Sequence, residues 1–493
     1  MTQSFLSKQD ALALVIVLLI VYSIRWFGLF LHHCGRMAHR TTPRGEMPSN
    51  INLRDIAVIL PVVDHESASF VRTVESILEN LPGQLYVVLV GREALEMVRD
   101  AIATLRRRYG HTQIHISAVN KANKRRQIAH AMDTISYRDT RLTVITDQGA
   151  YWPPLFLMSA CYPFDDTEVA AVTVPKRVHM PPSDCIWDHV KAHLFSFHYS
   201  LQAEDIRSVN SLDGSALFGG PTTLVRTHYL KEDRFKNECE QEKWFFERSG
   251  VLKGDEHFYL ARYLIGSHKS IYFQDSPEAT VSVEMNSLAK FIGEFLRTTR
   301  NDWRTCYLMA PTCAWNLVRH RHVIYPAAAL MTWWPTLFSF IPFALIVDFL
   351  SIVLAFNYGL LSDGLLAAWL GVASSVVGLQ FISGLFVAGR MFYSDGNNFN
   401  VITTCLCIML AFPFQCTLEF VKTAALLTFW KADTEERVSQ DIEMVGESQI
   451  PWHWDHMYID DDDEEYWNVA HNLSWRLFAG RQIAGQNAVS ASV

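Results

Sequence analysis

Polar side chains that could bind a nucleotide follow three predicted strands. Asp64 comes after a buried run that ends at Pro61, and Asp147 ends another strand. Lys124 and Arg125 lie in a basic loop between them. Taken singly, each is explained by a helix cap or a solvated loop. Together at one sheet edge, these residues could bind a nucleotide diphosphate. The carboxylates could bind the nucleobase, the ribose or a metal ion, and the cations could bind the phosphates.

Two later segments carry acids and arginines that could complete such a site. Asp255 and Glu256 open a stretch that looks helical, where a carboxylate could act as a general base over a sugar. Paired acids at a helix start also serve as dipole-favoured caps. Arg297 and Arg300 lie just before an apolar zone, where a basic and aromatic belt at a membrane surface is the alternative.

The elements that must position these residues alternate between strand and helix. Apolar runs predict strands at Ile56–Leu60, Leu85–Val90, Ile114–Ile116 and Leu142–Thr146. Helical spacing predicts helices at Phe70–Asn80, Ala94–Tyr109, Gln127–Ile135 and Phe258–Ile265. Alternation of this kind predicts a mostly parallel sheet, and ligands of such sheets bind beyond the carboxyl ends of the strands.

The chain as a whole has the composition of a membrane protein with a large soluble part. It has 493 residues and a net charge of −8, which gives no case for a nucleic-acid partner. Four apolar runs are long enough to cross a bilayer: Ala11–Leu31, Val323–Val347, Gly364–Gly389 and Phe399–Val421. The zone from Val323 to Phe356 could instead be an interfacial helix followed by a span.

The basic residues near the span ends predict the orientation. With four spans, the arginines at 36, 40, 44, 319, 321 and 390 all fall on one side. Residues 32–322 are therefore expected in the cytosol and both termini on the other side. Lys422 and Lys431 follow the last span and weakly favour the opposite side for its C-terminal end. The nine cysteines match no zinc spacing, and the acidic run Asp460–Glu465 is typical of a solvated tail.

These observations divide the chain into four parts. Residues 1–45 are predicted to be an N-terminal transmembrane anchor and linker, and residues 46–322 an α/β domain with an interfacial segment. Residues 323–430 hold about three transmembrane helices, and residues 431–493 form an acidic C-terminal tail.

Motifs spread along the chain resemble those of the membrane-bound family 2 glycosyltransferases, in particular the fungal polysaccharide synthase branch related to hyaluronan and chitin synthases. The likeness covers about residues 5 to 430. The motifs that carry it are ILPVVDHE at 59–66, NKRRQ at 123–127, VITDQGAYWPP at 144–154, FGGPTTLVRT at 218–227, GDEHFYLARYL at 254–264 and EFLRTTRNDWR at 294–304.

The resemblance implies a GT-A fold, Rossmann-like with a mostly parallel sheet, in the cytosol, joined to an α-helical transmembrane bundle. It also implies nucleotide-sugar binding and a catalytic base. The implied donor-binding residues are Asp64, Lys124, Arg125, Asp147, Arg297 and Arg300, and the base is Glu256 with Asp255 beside it. Asp147 would also hold Mg²⁺ or Mn²⁺.

Three positions depart from the family pattern. The acidic triplet has become Asp147-Gln148-Gly149, so a glycine stands at the expected metal ligand. The base motif ends in Glu256 where the family usually has Asp. The QxxRW motif has become EFLRT, with Thr298 at the position of the acceptor-stacking Trp.

The resemblance implies transfer of a sugar from a nucleotide-sugar, expected to be a UDP-sugar, to an acceptor hydroxyl with inversion. Cell-wall or extracellular polysaccharide synthesis at the plasma membrane or a secretory-pathway membrane is the expected setting. The acceptor would be a glycan, a lipid or a small molecule, and the lipid bilayer is the other expected partner. Two alternatives stay open, namely transfer of a single sugar to a lipid or small metabolite, and an inactive relative.

Overall fold

The computed structural model describes residues 50–136, 138–180, 185–213, 220–242, 252, 256–267, 269–319 and 401–431, with scattered positions between 16 and 48. The contacts divide the chain into two units, Met1–Ile442 and Glu443–Val493, and the second unit lies outside the described residues. Everything below concerns the first unit.

A seven-stranded sheet forms the centre of the fold, with the order β3-β2-β1-β4-β8-β6-β9. Only β8 runs antiparallel to its two neighbours. The strands are β1 (Ile56–Pro61), β2 (Gln84–Val90), β3 (Gln113–Val119), β4 (Leu142–Thr146), β6 (Val169–Thr173), β8 (Thr222–Arg226) and β9 (Ser270–Phe273). A smaller sheet has the order β5-β10-β7, formed by Ala150–Tyr151, Val281–Val283 and Lys176–Val178.

Ten α-helices in the described residues connect and cover these strands. They are α1 (Ala68–Leu78), α2 (Arg92–Arg108), α3 (Lys124–Thr134), α4 (Phe156–Cys161), α5 (Ile186–Asp213), α6 (Thr227–Lys231), α7 (Asp233–Glu240), α8 (Glu256–Gly266), α9 (Leu288–Arg319) and α10 (Val401–Leu426). The four predicted strands and four predicted helices are all present. The largest differences are at the start of α3, which begins at Lys124 rather than Gln127, and at the end of β3, which ends at Val119 rather than Ile116.

The central strands of the sheet are buried on both faces, as expected where helices cover each side of a mostly parallel sheet. All six residues of β1 are buried. Val58 and Leu60 belong to the core under α1 and α2, whereas Ala57 and Ile59 belong to the core under α3 and α8. The alternation follows from the two-residue period of a strand. Two helical layers are thereby fixed to one sheet, and the carboxyl ends of β1 and β4 share one edge.

Helices α5, α9 and α10 pack together beside the sheet through aromatic side chains. The rings of Phe195 and Phe291 stack with centroids 4.0 Å apart, and Phe414 of α10 lies 6.1 Å from Phe195. Leu418 is fully buried in the same cluster. This packing holds α9 and the end of α10 beside the sheet edge.

The predicted membrane spans have only partial counterparts among the described residues. Within α10, Cys405–Leu426 is long and apolar enough to cross a membrane, with a mean hydropathy of 1.5. The core helix of a soluble protein can have the same length and hydropathy. This segment overlaps the expected span Phe399–Val421. The expected spans Val323–Val347 and Gly364–Gly389 lie outside the described residues, as do most of Ala11–Leu31 and the acidic run of the tail.

Candidate active site

A cavity of about 320 Å³ opens at the carboxyl edge of the parallel strands. Residues from the end of β1, the start of α3 and the end of β4 form its floor, and basic residues of α9 form one wall. The lining residues that matter for charge are Lys124, Asp147, His257, Arg297, Arg300, Arg304 and Lys431. This edge is where a mostly parallel sheet is expected to bind its ligand.

Lys124 connects two carboxylates at this edge. It is the first residue of α3, and Asn123 caps that helix by accepting hydrogen bonds from the backbone N–H groups of Arg125 and Arg126. The cap fixes the direction in which α3 starts. The ammonium Nζ of Lys124 lies 2.6 Å from Glu256 Oε1 and also contacts Asp147 Oδ1. One amine thereby joins the end of β4 to the start of α8.

Glu256 is the first residue of α8, and its side chain is 6% exposed. His257 Nδ1 lies 3.9 Å from its Oε1. Its other oxygen, Oε2, is buried and has no hydrogen-bond partner among the described residues. Glu256 lines a small cavity of about 20 Å³. Lys124 and His257 line this cavity as well as the larger one. A buried carboxylate oxygen without a donor is suited to accept a proton from a bound hydroxyl.

The charges of Lys124 and Glu256 stabilise each other. Burial by itself raises the pKa of the Glu256 carboxyl, but Lys124 and His257 outweigh burial and hold that pKa well below its usual value. Burial by itself lowers the pKa of the Lys124 amine, but Asp147 and Glu256 outweigh burial and raise that pKa. At neutral pH, Glu256 is therefore a carboxylate and Lys124 an ammonium.

Basic side chains from α9 also line the larger cavity. Arg297, Arg300 and Arg304 recur at helical spacing, which places them along one face of α9. Arg300 Nε donates to Thr428 Oγ1 at 2.9 Å, and Arg304 Nε donates to the Phe429 carbonyl at 3.0 Å. The chain just after α10 thus holds two of the three guanidinium groups beside the cavity.

Arg304 and Lys431 were not among the predicted binding residues. Arg304 lies four residues after Arg300, and this spacing could have indicated that it shares the same face. Lys431 is far from the other lining residues in sequence, and no local pattern connects it to them. Both belong to the cavity in the structure.

Lys431 is the last described residue before the C-terminal tail, and the side of the membrane on which that tail lies stays a prediction. The prediction of four spans placed the chain after residue 430 on the side opposite the catalytic domain. In the structure, Lys431 lines the same cavity as Lys124, and its carbonyl accepts a hydrogen bond from Arg304. Helix α10 packs along α5 and α9, and the chain just after it reaches the cavity.

Asp64 lies at the rim rather than in the lining of the cavity. Its side chain is exposed, and the adjacent Val63 lines the cavity. The backbone N–H of Asp64 donates to Gln148 Oε1 at 3.4 Å, and Gln148 Nε2 donates to the Asp64 carbonyl. These bonds connect the loop after β1 to the loop after β4. Nucleotide binding by Asp64 stays a prediction.

Arg125 points away from the cavity. Its Nη1 lies 2.6 Å from Glu242 Oε2 and donates to the Cys239 carbonyl at 2.8 Å. Its side chain is only 2% exposed. The structure therefore does not bring Arg125 to the other predicted donor-binding residues and gives it a structural ion pair instead. The predicted partner of Glu256, Asp255, lies outside the described residues.

The side chains near Asp147 do not fit a resident divalent cation in this arrangement. No three His, Cys, Asp or Glu side chains converge on an ion site in the part of the chain that the structure describes. Asp147 Oδ1 already contacts the Lys124 ammonium. Gly149 offers no ligand, and its φ of +82° is one that favours glycine. The expected Mg²⁺ or Mn²⁺ at Asp147 stays a prediction that this donor set does not support.

The sequence of residues 54–312 matches the model of the family described as glycosyltransferase-like family 2. That match covers more than half of the chain. The chain belongs to this family. The resemblance noted from the motifs is thereby confirmed at the family level, and the mostly parallel sheet agrees with the GT-A-like fold that it implied.

Two fungal glycosyltransferases and one solved structure show distant similarity to this family 2 chain. A type 2 glycosyltransferase of Pyricularia oryzae is 23% identical over 67% of this chain and 65% of its own length. Another from Gibberella zeae is 24% identical over 57% of this chain and 51% of its own length. The chain thus spans between half and two thirds of these relatives. A solved structure, the mannosyltransferase PcManGT of Pyrobaculum calidifontis with GDP-Man and Mn²⁺, is 12% identical, covers 85% of this chain and 96% of its own, and has a TM-score of 0.44.

Proposed function

We propose that this family 2 chain transfers a sugar from a nucleotide-sugar to an acceptor hydroxyl with inversion. A UDP-sugar is the first candidate donor. The observation that carries the proposal is the Lys124 ammonium, which joins Asp147 to Glu256 at the edge of a cavity lined by basic side chains. Such a cavity suits a diphosphate, and the carboxylate beside it suits an acceptor.

In the proposed reaction, each group has one task. Glu256 Oε2 takes the proton of the acceptor hydroxyl, and the acceptor oxygen forms a bond to the anomeric carbon of the sugar. The bond from that carbon to the diphosphate oxygen breaks, and its electron pair leaves with the nucleotide diphosphate. Lys124, Arg297 and Arg300 stabilise the negative charge that develops on that leaving group. Attack opposite the leaving group inverts the anomeric configuration.

Two further parts of the proposal concern the cell. We propose a membrane protein whose catalytic domain faces the cytosol, acting in cell-wall or extracellular polysaccharide synthesis. The apolar helix segment Cys405–Leu426 supports the membrane assignment. The basic residues near the apolar runs support the orientation.

A second candidate is transfer of a single sugar to a lipid or small metabolite. It is favoured by Thr298, which stands where the resembled synthases have a Trp that stacks on the growing chain. Helix α9 therefore offers no aromatic ring at that position for a long glycan. Size analysis of the labelled product separates the two reactions, because a synthase yields polymer and the alternative yields a monoglycoside.

The experiment that tests the proposal is replacement of the base. Glu256→Gln is expected to lower turnover by about 10²-fold or more, because the amide cannot take the hydroxyl proton. Nucleotide affinity should change little, since Asp147 and the arginines of α9 remain. Glu96→Gln, which changes an exposed carboxylate of α2 paired with Arg99, is the matched control and should retain turnover. Wild-type turnover in Glu256→Gln would exclude Glu256 as the base.

A further inference from the structure

The site contains two carboxylates, Asp147 and Glu256, and an ammonium lies between them. Lys124 Nζ is 2.6 Å from Glu256 Oε1 and in contact with Asp147 Oδ1. Two carboxylates that converge at the end of β4 are the kind of ligands that a divalent cation takes. Here, the cation between them is part of the protein.

The rest of the local structure supports a built-in cation rather than an exchangeable one. Gly149 has φ +82° and supplies no third carboxylate. Its N–H donates to Thr73 Oγ1 and its carbonyl accepts from the Glu284 N–H, so both backbone groups are already used. Lys124 begins a capped helix and is held from both sides by carboxylates. These contacts fix its ammonium in place.

The ammonium can still reach a ligand. It has three N–H donors, of which two are directed at Asp147 and Glu256, which leaves one for a phosphate oxygen. Lys124 lines both cavities, so that donor can face a molecule bound there. Arg297, Arg300 and Arg304 line the larger cavity with it and add positive charge.

We propose that the Lys124 ammonium takes the place of a divalent cation in this site, so that the nucleotide diphosphate binds and departs without a metal ion. The inference rests on the proposed function, because it concerns how that donor is held. Lys124 and the arginines of α9 neutralise the diphosphate. The competing possibility is that Lys124 only holds the position until a metal–nucleotide complex displaces it.

Two measurements on the purified full-length chain test the proposal. The first is the binding of UDP and GDP to the wild type, in excess EDTA and in millimolar Mn²⁺. Affinity for the preferred nucleotide should agree within about twofold between the two conditions. The second is a titration with Mn²⁺ alone, in which electron paramagnetic resonance counts the free ion.

In that titration, the wild type should leave Mn²⁺ free. Lys124→Met should take up about one ion, because removal of the ammonium leaves two facing carboxylates. Lys124→Met with Asp147→Asn should lose that uptake again. Lys236→Met, which removes a lysine paired with Asp133 on the surface, is the matched control and should behave as the wild type. If Lys124→Met does not fold, Lys124→Gln replaces it.

The outcomes separate the inference from the function on which it rests. A loss of nucleotide affinity of tenfold or more in EDTA would overturn the inference and leave the transferase proposal intact. Uptake of Mn²⁺ by the wild type would also overturn it. If the wild type binds no nucleotide with or without metal, the proposed function fails, and the inference fails with it.

Discussion

At the scale of residues, the site depends on Lys124, whose ammonium contacts both Asp147 and Glu256. All three were predicted as site residues, and the structure places Lys124 in contact with the other two. Each of them follows a strand or begins a helix at the same sheet edge, so their positions in the predicted strand and helix pattern were sufficient to assign them to one site. Lys431 was missed because nothing in its sequence neighbourhood connects it to that edge.

Arg125 was assigned to the nucleotide because the NKRRQ motif at 123–127 resembles the basic loop of the family. The structure directs it to Glu242 instead. Successive residues of an α-helix point about 100° apart, so two neighbours at the start of α3 need not face the same cavity. A basic motif therefore predicts that a cation is present but does not tell which of its members binds the ligand.

Arg300 is the arginine of α9 whose contribution to donor binding can be tested most simply. Arg300→Ala should weaken nucleotide affinity by about tenfold, because a hydrogen bond to a charged group contributes on the order of 1.5–3 kcal/mol. The dissociation constant of UDP or GDP, measured by titration calorimetry, checks this. Arg99→Ala, which removes a surface arginine paired with Glu96, should leave the affinity unchanged. Equal affinity in both variants would remove Arg300 from the site.

At the scale of elements, α3 depends on a buried ion pair. Arg125→Met should lower the free energy of unfolding by on the order of 2 kcal/mol, because Glu242 loses one of two arginine partners and keeps Arg262. Chemical denaturation measures this change. Nucleotide affinity in the folded variant should stay within about twofold of the wild type. A stable variant with much weaker binding would show that Arg125 contacts the diphosphate.

The α5–α9 contact should make stability depend on pH. His198 is buried against Phe291 and Phe295, and burial, with help from Lys422 and Lys176, lowers its pKa from 6.5 to about 3. Below pH 6.5 the unfolded chain takes up a proton that the folded chain does not, so stability falls as the pH falls towards 3.

From pH 6.5 to pH 5, this histidine should cost the folded state roughly 2 kcal/mol. Unfolding curves at both pH values measure that cost. His198→Phe should reduce the difference by about that amount, since the variant has no proton to take up at this position. His111→Phe, at a half-buried position outside this contact, serves as the control. An unchanged pH dependence in His198→Phe would show that His198 is protonated in the folded chain.

At the scale of the whole molecule, the α/β part was predictable and the arrangement of its last helix was not. Strand and helix periods are local, so the four strands and four helices were found with small shifts at their ends. The course of α10 depends on aromatic contacts between Phe195, Phe291 and Phe414, which are far apart in sequence. Hydropathy predicts an apolar helix there but does not tell on which side it ends.

The position of Lys431 leads to a prediction about sidedness. A protease site inserted near Gly110 and another inserted between residues 433 and 434 should both be cut from the cytosolic face of sealed microsomes. The reason is that Lys431 and Lys124 line one cavity. A protease site on the lumenal side, which is cut only after the membrane is opened, is the control that shows the vesicles are sealed. Protection of the second site but not the first would restore the original prediction of a tail on the other side.

The central claim is inverting sugar transfer that depends on Glu256. The most direct measurement is incubation of the purified chain with labelled UDP- and GDP-sugars, followed by analysis of the anomeric configuration and size of the product. We expect a product with inverted configuration from one donor in the wild type, and about 10²-fold less of it in Glu256→Gln. A product with retained configuration, or no transfer and no nucleotide binding with any donor, would contradict the claim.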